Sequence, residues 1–251
     1  MKIEFIGTGP ACDPGEPNTS FCLHKGNEHI LFDCGFTVPH LYFARNHPPD
    51  SLKAVWISHF HADHFFGLPL LLLKLIEVGR REPLSIIGPR GLAANCGTLF
   101  DLAYGGLAEH ASFAWEYLEM APDEGRNIGD VRLSVASNDH HHRQALSVSV
   151  AWDGRRIFYS GDGIVGKDAL EIAADADLLI LESYRALGKE SGHNNLTGCR
   201  KFFGQSGADK LALVHIEADE RGILARELAK KKDRERIFLP RSGDLFSLPD
   251  R

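Results

Sequence analysis

The sequence predicts a mixed fold of the α/β class (α+β type), with two β-sheets packed face to face and helices outside. Three observations predict it. The first third of the 251-residue chain is rich in short β-type runs, a leucine-rich helical segment follows, and the β pattern returns from Arg132. Because an amphipathic sheet must bury one face against another layer, this order favours two packed sheets.

The first half of the chain predicts five strands and two helices. Gly, Pro and Asn turn residues separate the β-type runs. The leucine-rich segment from Gly67 to Val78 is long enough for a helix and tolerates Pro69 in its first turn. The predicted strands are Lys2–Ile6, Thr19–His24, His29–Asp33, Ala54–Ser58 and Leu84–Ile87, and the second helix is Pro89–Leu107.

The second half begins with strands and then alternates strands with helices. The pair Asp153-Gly154 favours a tight hairpin turn between two of these strands. The predicted strands are Arg132–Ala136, Ser147–Trp152, Arg156–Ser160, Leu178–Glu182, Lys210–His215 and Ile237–Leu239, with helices near Leu196–Ser206 and Glu220–Lys232.

The composition is that of a globular protein. With 43% hydrophobic and 25% charged residues, disorder is excluded. The net charge of −6 excludes a surface that binds nucleic acid over its whole extent, although a local basic patch is compatible with it. No repeat, low-complexity tract or linker divides the chain, so we predict one domain over residues 1–251.

The five cysteines are an odd number and lack C-x-x-C spacing. The sequence therefore gives no indication of a disulfide framework or of a separate structural zinc site. A reducing, cytoplasmic location is the simplest interpretation. The longest apolar stretch, Leu68–Leu73, contains Pro69 and is too short to span a bilayer. The N-terminus also lacks the apolar run of a signal peptide.

The string His59-Phe60-His61-Ala62-Asp63-His64 follows an apolar strand and precedes a helix. In a loop at the end of a strand, side chains at positions i and i+2 can converge on one ion, and the tighter turn beyond them directs Asp63 and His64 at a second. Imidazole together with carboxylate suits borderline divalent ions such as zinc, manganese or iron. The string therefore predicts a metal site.

This H-x-H-x-D-H loop resembles the signature of the metallo-β-lactamase superfamily, and the resemblance covers nearly the whole chain. It implies a four-layer αββα sandwich, the metallo-β-lactamase fold. The ribonuclease Z-like branch is the most similar. Its matching segments are Phe5-Ile6-Gly7-Thr8-Gly9, Asn18-Thr19-Ser20, Leu31-Phe32-Asp33-Cys34-Gly35, Gly161-Asp162 and Val214-His215-Ile216.

The resemblance also implies a set of metal ligands. Asp162 bridges two divalent ions, and His215 binds the second ion. A further histidine is expected in Asp139-His140-His141-His142, where the register favours His141, and His140 and His142 remain the alternatives. The first ion is then held by His59, His61 and His141, and the second by Asp63, His64 and His215. Zinc is favoured, with manganese or iron open.

A pair of such ions would activate a bridging water for hydrolysis. Asp63 and His193 are the predicted catalytic residues, with His193 assisting the leaving group. The alternative for His193 is a loop residue beside a helix capped by Asn195. Asp33 is expected either to orient a ligand histidine or to serve as a turn residue. Glu182 has a similar expected role, or merely ends its strand.

The predicted function is a phosphodiesterase or a ribonuclease Z-like nuclease. Ribonuclease Z-like enzymes that trim tRNA usually carry a long arm after the loop histidine. Only 20 residues, 142 to 161, lie between His141 and Asp162 here, so the arm is missing. A cyclic nucleotide or short oligonucleotide is thus at least as plausible a substrate as tRNA.

Two alternatives to this function remain open. One is a lactonase, thioesterase or sulfatase on the same fold, and the other is a non-catalytic metal-dependent sensor or binding protein. The resemblance also suggests a homodimer. The apolar region Leu68–Ile76 is then either its interface or a helix of the core.

Overall fold

The computed structural model describes residues 1–141, 143–230 and 235–248. Within them the chain divides into two compact units. The first unit comprises Met1–Gly7, Pro17–Met120 and the segment that begins at Ser242, and the second comprises Thr8–Glu16 and Ala121–Arg241. The single domain predicted for residues 1–251 stays a prediction.

The first unit is built on a seven-stranded sheet in the order C-terminal strand, β1, β2, β3, β4, β5, β6. The strands are β1 (Lys2–Gly7), β2 (Ser20–Lys25), β3 (Glu28–Phe32), β4 (Leu52–Trp56), β5 (Leu84–Pro89), β6 (Trp115–Met120) and the C-terminal strand Leu245–Ser247. Its α-helices are α1 (Val38–Ala44), α2 (Ala62–Phe65), α3 (Leu68–Glu77) and α4 (Leu92–Tyr104), and single 3₁₀ turns span Pro49–Ser51 and Leu107–His110.

Strands β3 and β4 run parallel in this sheet, and their register pairs Phe32 with Trp56. Their carboxyl ends therefore lie at the same edge. Asp33 follows β3, and the loop that contains His59 follows β4. In sheets with parallel strands, ligands bind outside the carboxyl ends, which makes this edge the expected position for the metal loop.

Helix α3 confirms the predicted leucine-rich helix. Gly67 is its N-cap and Val78 its C-cap. Its buried residues Leu68, Leu71, Leu72 and Leu75 repeat at helical spacing and belong to the hydrophobic core of the first unit. These leucines are therefore explained by the core.

The second unit contains an eight-stranded sheet in the order β11, β8, β9, β10, β12, β13, β14, with β7 paired to β8. The strands are β7 (Gly125–Ile128), β8 (Val131–His140), β9 (Arg143–Trp152), β10 (Arg155–Tyr159), β11 (Ile164–Val165), β12 (Leu178–Glu182), β13 (Lys210–Val214) and β14 (Ile237–Phe238). The helices are α5 (Lys167–Ile172), α6 (Leu196–Ser206) and α7 (Arg221–Ala229).

The predicted hairpin turn at Asp153-Gly154 is confirmed. Trp152 pairs with Arg155, which leaves two turn residues between β9 and β10. Asp153 has φ 54° and Gly154 φ 72°. Two successive left-handed residues are what a two-residue hairpin turn requires, and Asp-Gly adopts them readily.

Helices α1 and α5 and strands β6 and β7 were not predicted from the sequence. Helix α1 has seven residues, which is too short for a clear helical repeat. Strand β6 is at the edge of its sheet and carries Glu116 and Glu119 among its apolar residues. The predicted end of the last helix at Lys232 lies outside the described residues. Across the described chain, every helix is too short or too polar to cross a bilayer.

Candidate metal centre

In the first unit, Asp33 organises the loop that contains the histidine string. Its Oδ1 accepts a hydrogen bond from the Ser58 backbone N–H at 2.7 Å, and its Oδ2 accepts one from Ser58 Oγ at 2.8 Å. His64 Nδ1 donates to the same Oδ2 at 2.7 Å. Asp33 is fully buried, so these contacts satisfy a carboxylate that water does not reach. Asp33 thus orients His64, a predicted ligand, which is the first of its two expected roles.

These hydrogen bonds also fix the tautomers of two histidines. Since His64 Nδ1 carries its proton toward Asp33, the lone pair of its neutral ring is on Nε2. Ser58 gives its only hydroxyl proton to Asp33, so Ser58 Oγ accepts the proton of His59 Nδ1, 3.0 Å away. His59 thus also has its lone pair on Nε2. Ser58 was not predicted as a site residue, because a serine beside a histidine is a common pair.

The three imidazoles of this loop lie close together. The ring centroids of His59 and His61 are 4.6 Å apart, and those of His59 and His64 are 4.3 Å apart. His59, His64 and Asp63 are buried and His61 is half-buried. Nitrogen donors at this density inside a protein suit a divalent cation.

Glycine allows the loop after β3 to contact the histidine string. Cys34 N–H donates to His64 O at 2.7 Å, and Gly67 N–H donates to Cys34 O at 2.8 Å. A Cβ at Gly35 would lie 1.9 Å from the carbonyl oxygen of Asp63. Only a residue without a side chain fits there.

In the second unit, a buried carboxylate and a buried histidine meet at the ends of two strands. Asp162 follows β10, and its Oδ2 lies 3.1 Å from Nε2 of His215, which follows β13. The His215 backbone has φ 53° and its N–H donates to Thr8 O at 2.8 Å. Both side chains are nearly inaccessible to solvent, with exposures of 4% for His215 and 3% for Asp162.

Glu182, at the end of β12, connects this pair with His193. Its Oε1 lies 3.3 Å from His215 Nδ1 and accepts a hydrogen bond of 2.5 Å from His193 Nδ1. Its Oε2 accepts from the backbone N–H groups of Gly163 at 2.6 Å and Asn194 at 3.2 Å. Glu182 thus contacts two predicted site residues, His193 and His215, which agrees with its expected orienting role.

His193 is held in a defined orientation. Its ring stacks on Tyr184 with a centroid distance of 4.5 Å, and it lies nearly parallel to the His215 ring at 6.1 Å. Burial opposes the charged form, but the hydrogen bond with Glu182 and the charge of that carboxylate raise the pKa of His193 above its usual value. Asn195 caps α6 as expected, and its Oδ1 accepts from Gly198 N–H at 2.9 Å.

Burial and hydrogen bonding distinguish His140, the last residue of β8, from His141. His140 is 1% exposed, and its Nδ1 donates to Gly192 O at 2.7 Å, which leaves the lone pair of the neutral ring on Nε2. Burial lowers the pKa of His140, which favours the neutral form that binds metals. His141, the predicted ligand, is exposed with φ 45° in the turn after the strand, and His142 lies outside the described residues. Burial and the hydrogen bond with Gly192 therefore favour His140, although a ring nitrogen of His141 also lies within 4.8 Å of ligand atoms of His140 and His193.

The donor chemistry of the second unit fits a divalent metal. Ligand atoms of Asp162, Glu182, His193 and His215 all lie within 4.8 Å of one another. Carboxylate and imidazole together are the donor set of zinc, manganese and iron sites.

The chain is a ribonuclease Z-like member of the metallo-β-lactamase superfamily, as the resemblance implied. The sequence model of the anti-Pycsar protein Apyc1 family matches residues 1–227, so the chain belongs to this family. A ribonuclease Z from Pediococcus pentosaceus is 27% identical over 314 aligned positions, covering 99% of this chain and 99% of that protein.

Solved structures confirm the predicted fold class, the metallo-β-lactamase fold. The chain is similar to human tRNase Z, short form, with a TM-score of 0.81 and 24% identity over 100% of both chains. It is also similar to the metallo-β-lactamase fold protein YhfI from Bacillus subtilis, with a TM-score of 0.79 and 20% identity over 98% of both chains. The chain is a metal-dependent hydrolase of phosphodiester bonds, in agreement with the sequence prediction.

The comparison also bears on the missing arm. The alignment with the Pediococcus ribonuclease Z has 314 positions, whereas this chain has 251 residues, so the relative carries segments without a counterpart here. Most of the interval from 142 to 161 forms β9, its two-residue turn and β10. These residues form a hairpin that contains no long insertion.

Proposed function

We propose that this protein hydrolyses a small phosphodiester, a cyclic nucleotide or a short oligonucleotide, with two divalent metal ions, and that zinc is the native metal. His59, His61 and His140 are the proposed ligands of the first ion. Asp63, His64 and His215 are those of the second, and Asp162 is shared. His140 replaces the sequence-predicted His141 because it is buried and oriented by Gly192.

The observation that carries the proposal is the Glu182–His193 pair beside Asp162 and His215. Bound divalent ions supply an activated water nucleophile and positive charge for the phosphate oxygens. Side chains of the protein protonate the leaving group. Glu182 holds Nδ1 of His193 at 2.5 Å, so the proton for the leaving oxygen comes from Nε2. Burial opposes the charged form of His193, but the contact with Glu182 raises its pKa, which favours retention of this proton.

The small size of the proposed substrate rests on charge and chain length. Most of RNA affinity comes from cations that meet phosphates, and this chain has a net charge of −6. The short β9–β10 hairpin leaves no arm to bind a folded RNA at a distance. Precursor tRNA, the substrate that the names of the relatives suggest, is therefore the second candidate.

A comparative assay tests the proposal. The protein is loaded with zinc or manganese and given bis(p-nitrophenyl) phosphate, cyclic nucleotides, a dinucleotide, a precursor tRNA, a lactone, a thioester and a sulfate ester. We expect kcat/KM to be highest for a cyclic nucleotide or the dinucleotide. Preference for tRNA would select the second candidate, and a lactone, thioester or sulfate preferred by orders of magnitude would overturn the proposal. Metal-loaded protein without any turnover would indicate a sensor.

Replacing His193 with glutamine is expected to lower kcat about 100-fold for substrates with an alkoxide leaving group, because the proton donor is lost. The loss should be much smaller for bis(p-nitrophenyl) phosphate, since p-nitrophenolate leaves without a proton. The ratio of the two effects, with metal content determined for each variant, is the measurement. His110→Gln, at an exposed histidine, is the matched control. Equal losses on both substrates would contradict proton donation.

Replacing His140 with alanine is expected to weaken metal binding by at least about 100-fold, because even outer partners of metal ligands contribute 10-fold to 100-fold. His141→Ala, at the exposed neighbour, should change affinity by less than about twofold. Competition with a fluorescent zinc chelator measures both constants. A larger loss of metal affinity in His141→Ala than in His140→Ala would instead favour His141 as the ligand, as the sequence predicts.

We also propose a cytoplasmic homodimer. All five cysteines are free thiols, as a reducing compartment would keep them. Phe66, just before α3, and Leu70, in its first turn, are 48% and 42% exposed, whereas Leu68, Leu71, Leu72 and Leu75 are buried. They support an apolar contact between copies, which the molar mass in solution of the wild type and of Leu70→Lys would test.

A further inference from the structure

A second group of metal-binding side chains lies in the first unit, on three neighbouring strands. Glu4 of β1 pairs with Cys22 of β2, and His24 of β2 pairs with His29 of β3. Paired residues share a face of the sheet, as do residues two apart along a strand. The register therefore brings a carboxylate, a thiol and two imidazoles to one face, and His47, which follows α1, joins them.

The distances in this group are those of converging ligands. His24 Nε2 lies 3.0 Å and His47 Nε2 3.1 Å from the same oxygen, Glu4 Oε2. One donor atom from each of Glu4, Cys22, His24 and His47 lies within 4.8 Å of the other three. None of these residues belongs to the proposed catalytic set.

An ion pair alone does not account for this geometry. His47 Nε2 is a buried atom, and its approach to Glu4 lies outside hydrogen-bond geometry. The thiol of Cys22 is fully buried beside them. A thiol, a carboxylate oxygen and two ring nitrogens that face one small volume form a complete set for a tetrahedral ion.

Arg45 holds the carboxylate in a suitable position. Its Nε lies 2.8 Å from Glu4 Oε1, the oxygen that the histidines do not contact. Glu4 thus presents one anchored oxygen to Arg45 and one to the histidines, as carboxylates that bind a metal through a single oxygen do.

The fifth neighbour, His29, supports the group without joining it. Its Nε2 lies 2.8 Å from Tyr42 Oη, and its ring centroid is 4.8 Å from that of His47. Its pairing with His24 across the β2–β3 ladder and its contact with Tyr42 hold the His29 ring beside the group.

We propose that Glu4, Cys22, His24 and His47 form a structural metal site for zinc or a related transition-metal ion. All four positions are filled by the chain, which is the arrangement of structural rather than catalytic zinc. The ion would join β1 and β2 to the segment after α1. Binding releases the thiol proton of Cys22, and thiolate and carboxylate together balance the two positive charges of the metal. The sequence had indicated no such site because its ligands do not form a cysteine cluster.

Cobalt(II) added to the metal-free protein tests the proposal. Among the groups of metal-binding side chains in the described residues, this is the one that contains a cysteine. Thiolate bound to cobalt gives a charge-transfer band in the near ultraviolet that imidazole and carboxylate ligands do not give. We expect this band in the wild type, its loss in Cys22→Ser and its retention in Cys96→Ser, a buried cysteine of α4.

Two further measurements keep the result interpretable. His47→Gln and His24→Gln should each bind about one metal ion per chain fewer than the wild type by elemental analysis, with unchanged circular dichroism. This readout also serves if Cys22→Ser does not fold. No band in cobalt-loaded wild type, or a band and stoichiometry unchanged in these variants, would overturn the proposal. The outcome does not depend on the catalytic proposal, whose ligands contain no sulfur.

Discussion

Replacing Asp162 with asparagine is expected to lower kcat/KM for phosphodiesters by about 1,000-fold or more, because transition-state charge stabilisation by a metal site contributes several kcal/mol. The carboxylate is buried, and its Oδ2 lies 3.1 Å from His215 Nε2. Asparagine keeps the shape of the side chain and removes the negative charge that two cations would share. Steady-state kinetics at saturating zinc, with metal content per chain, measure the effect.

The control for Asp162→Asn is Asp168→Asn, at an exposed aspartate in the first turn of α5. It makes the same change in net charge and is expected to leave kcat/KM within about twofold of the wild type. If Asp162→Asn keeps its metal and loses less than tenfold in rate, Asp162 is not a shared ligand.

Replacing Arg80 with methionine is expected to lower the free energy of unfolding by about 3–5 kcal/mol, since buried acceptors that lose a charged donor cost heavily. The Arg80 side chain is 0% exposed. Its guanidinium donates to four backbone carbonyls and lies 5.4 Å from the ring centroid of Phe113. The acceptors are the carbonyl oxygens of Pro49, Leu52, Glu82 and Pro83.

Urea denaturation of Arg80→Met and Arg81→Met measures this contribution. Arg81 is exposed, and its replacement should stay within about 0.5 kcal/mol of the wild type. A difference between the two variants of less than 1 kcal/mol would mean that water replaces the lost donors, and that Arg80 does not hold these loops together.

Local patterns predicted the parts of the fold and site that depend on neighbours in sequence. The loop His59–His64 follows its strand as expected, and the Asp153-Gly154 turn closes its hairpin. The position of Asp33 at the end of β3, beside Cys34-Gly35, predicted that it either orients a histidine or serves as a turn residue, and its contact with His64 agrees with the first role.

The choice between His140 and His141, which the sequence left open, and the contacts of Arg80, which it did not indicate, depend on the pairing of residues outside any local motif. His140 pairs with Arg143 at the end of β8, and this register puts His141 in the exposed turn. No local pattern reports that pairing. Arg80 likewise bonds to carbonyls about 30 residues earlier in the chain, at Pro49 and Leu52. Every residue has a backbone carbonyl, so the amino-acid sequence does not show which carbonyls accept hydrogen bonds from Arg80.

The two-residue turn between β9 and β10 bears on how such enzymes could change their targets over evolution. Asp153 and Gly154 are exposed, and the ladder on either side of them is complete. Exposed turn tips of this kind accept inserted segments without loss of the flanking pairing. A segment that recognises a large ligand can therefore be added without a change in the catalytic residues. Insertion of such a segment between Asp153 and Gly154 would be a direct way to add it to this hydrolase.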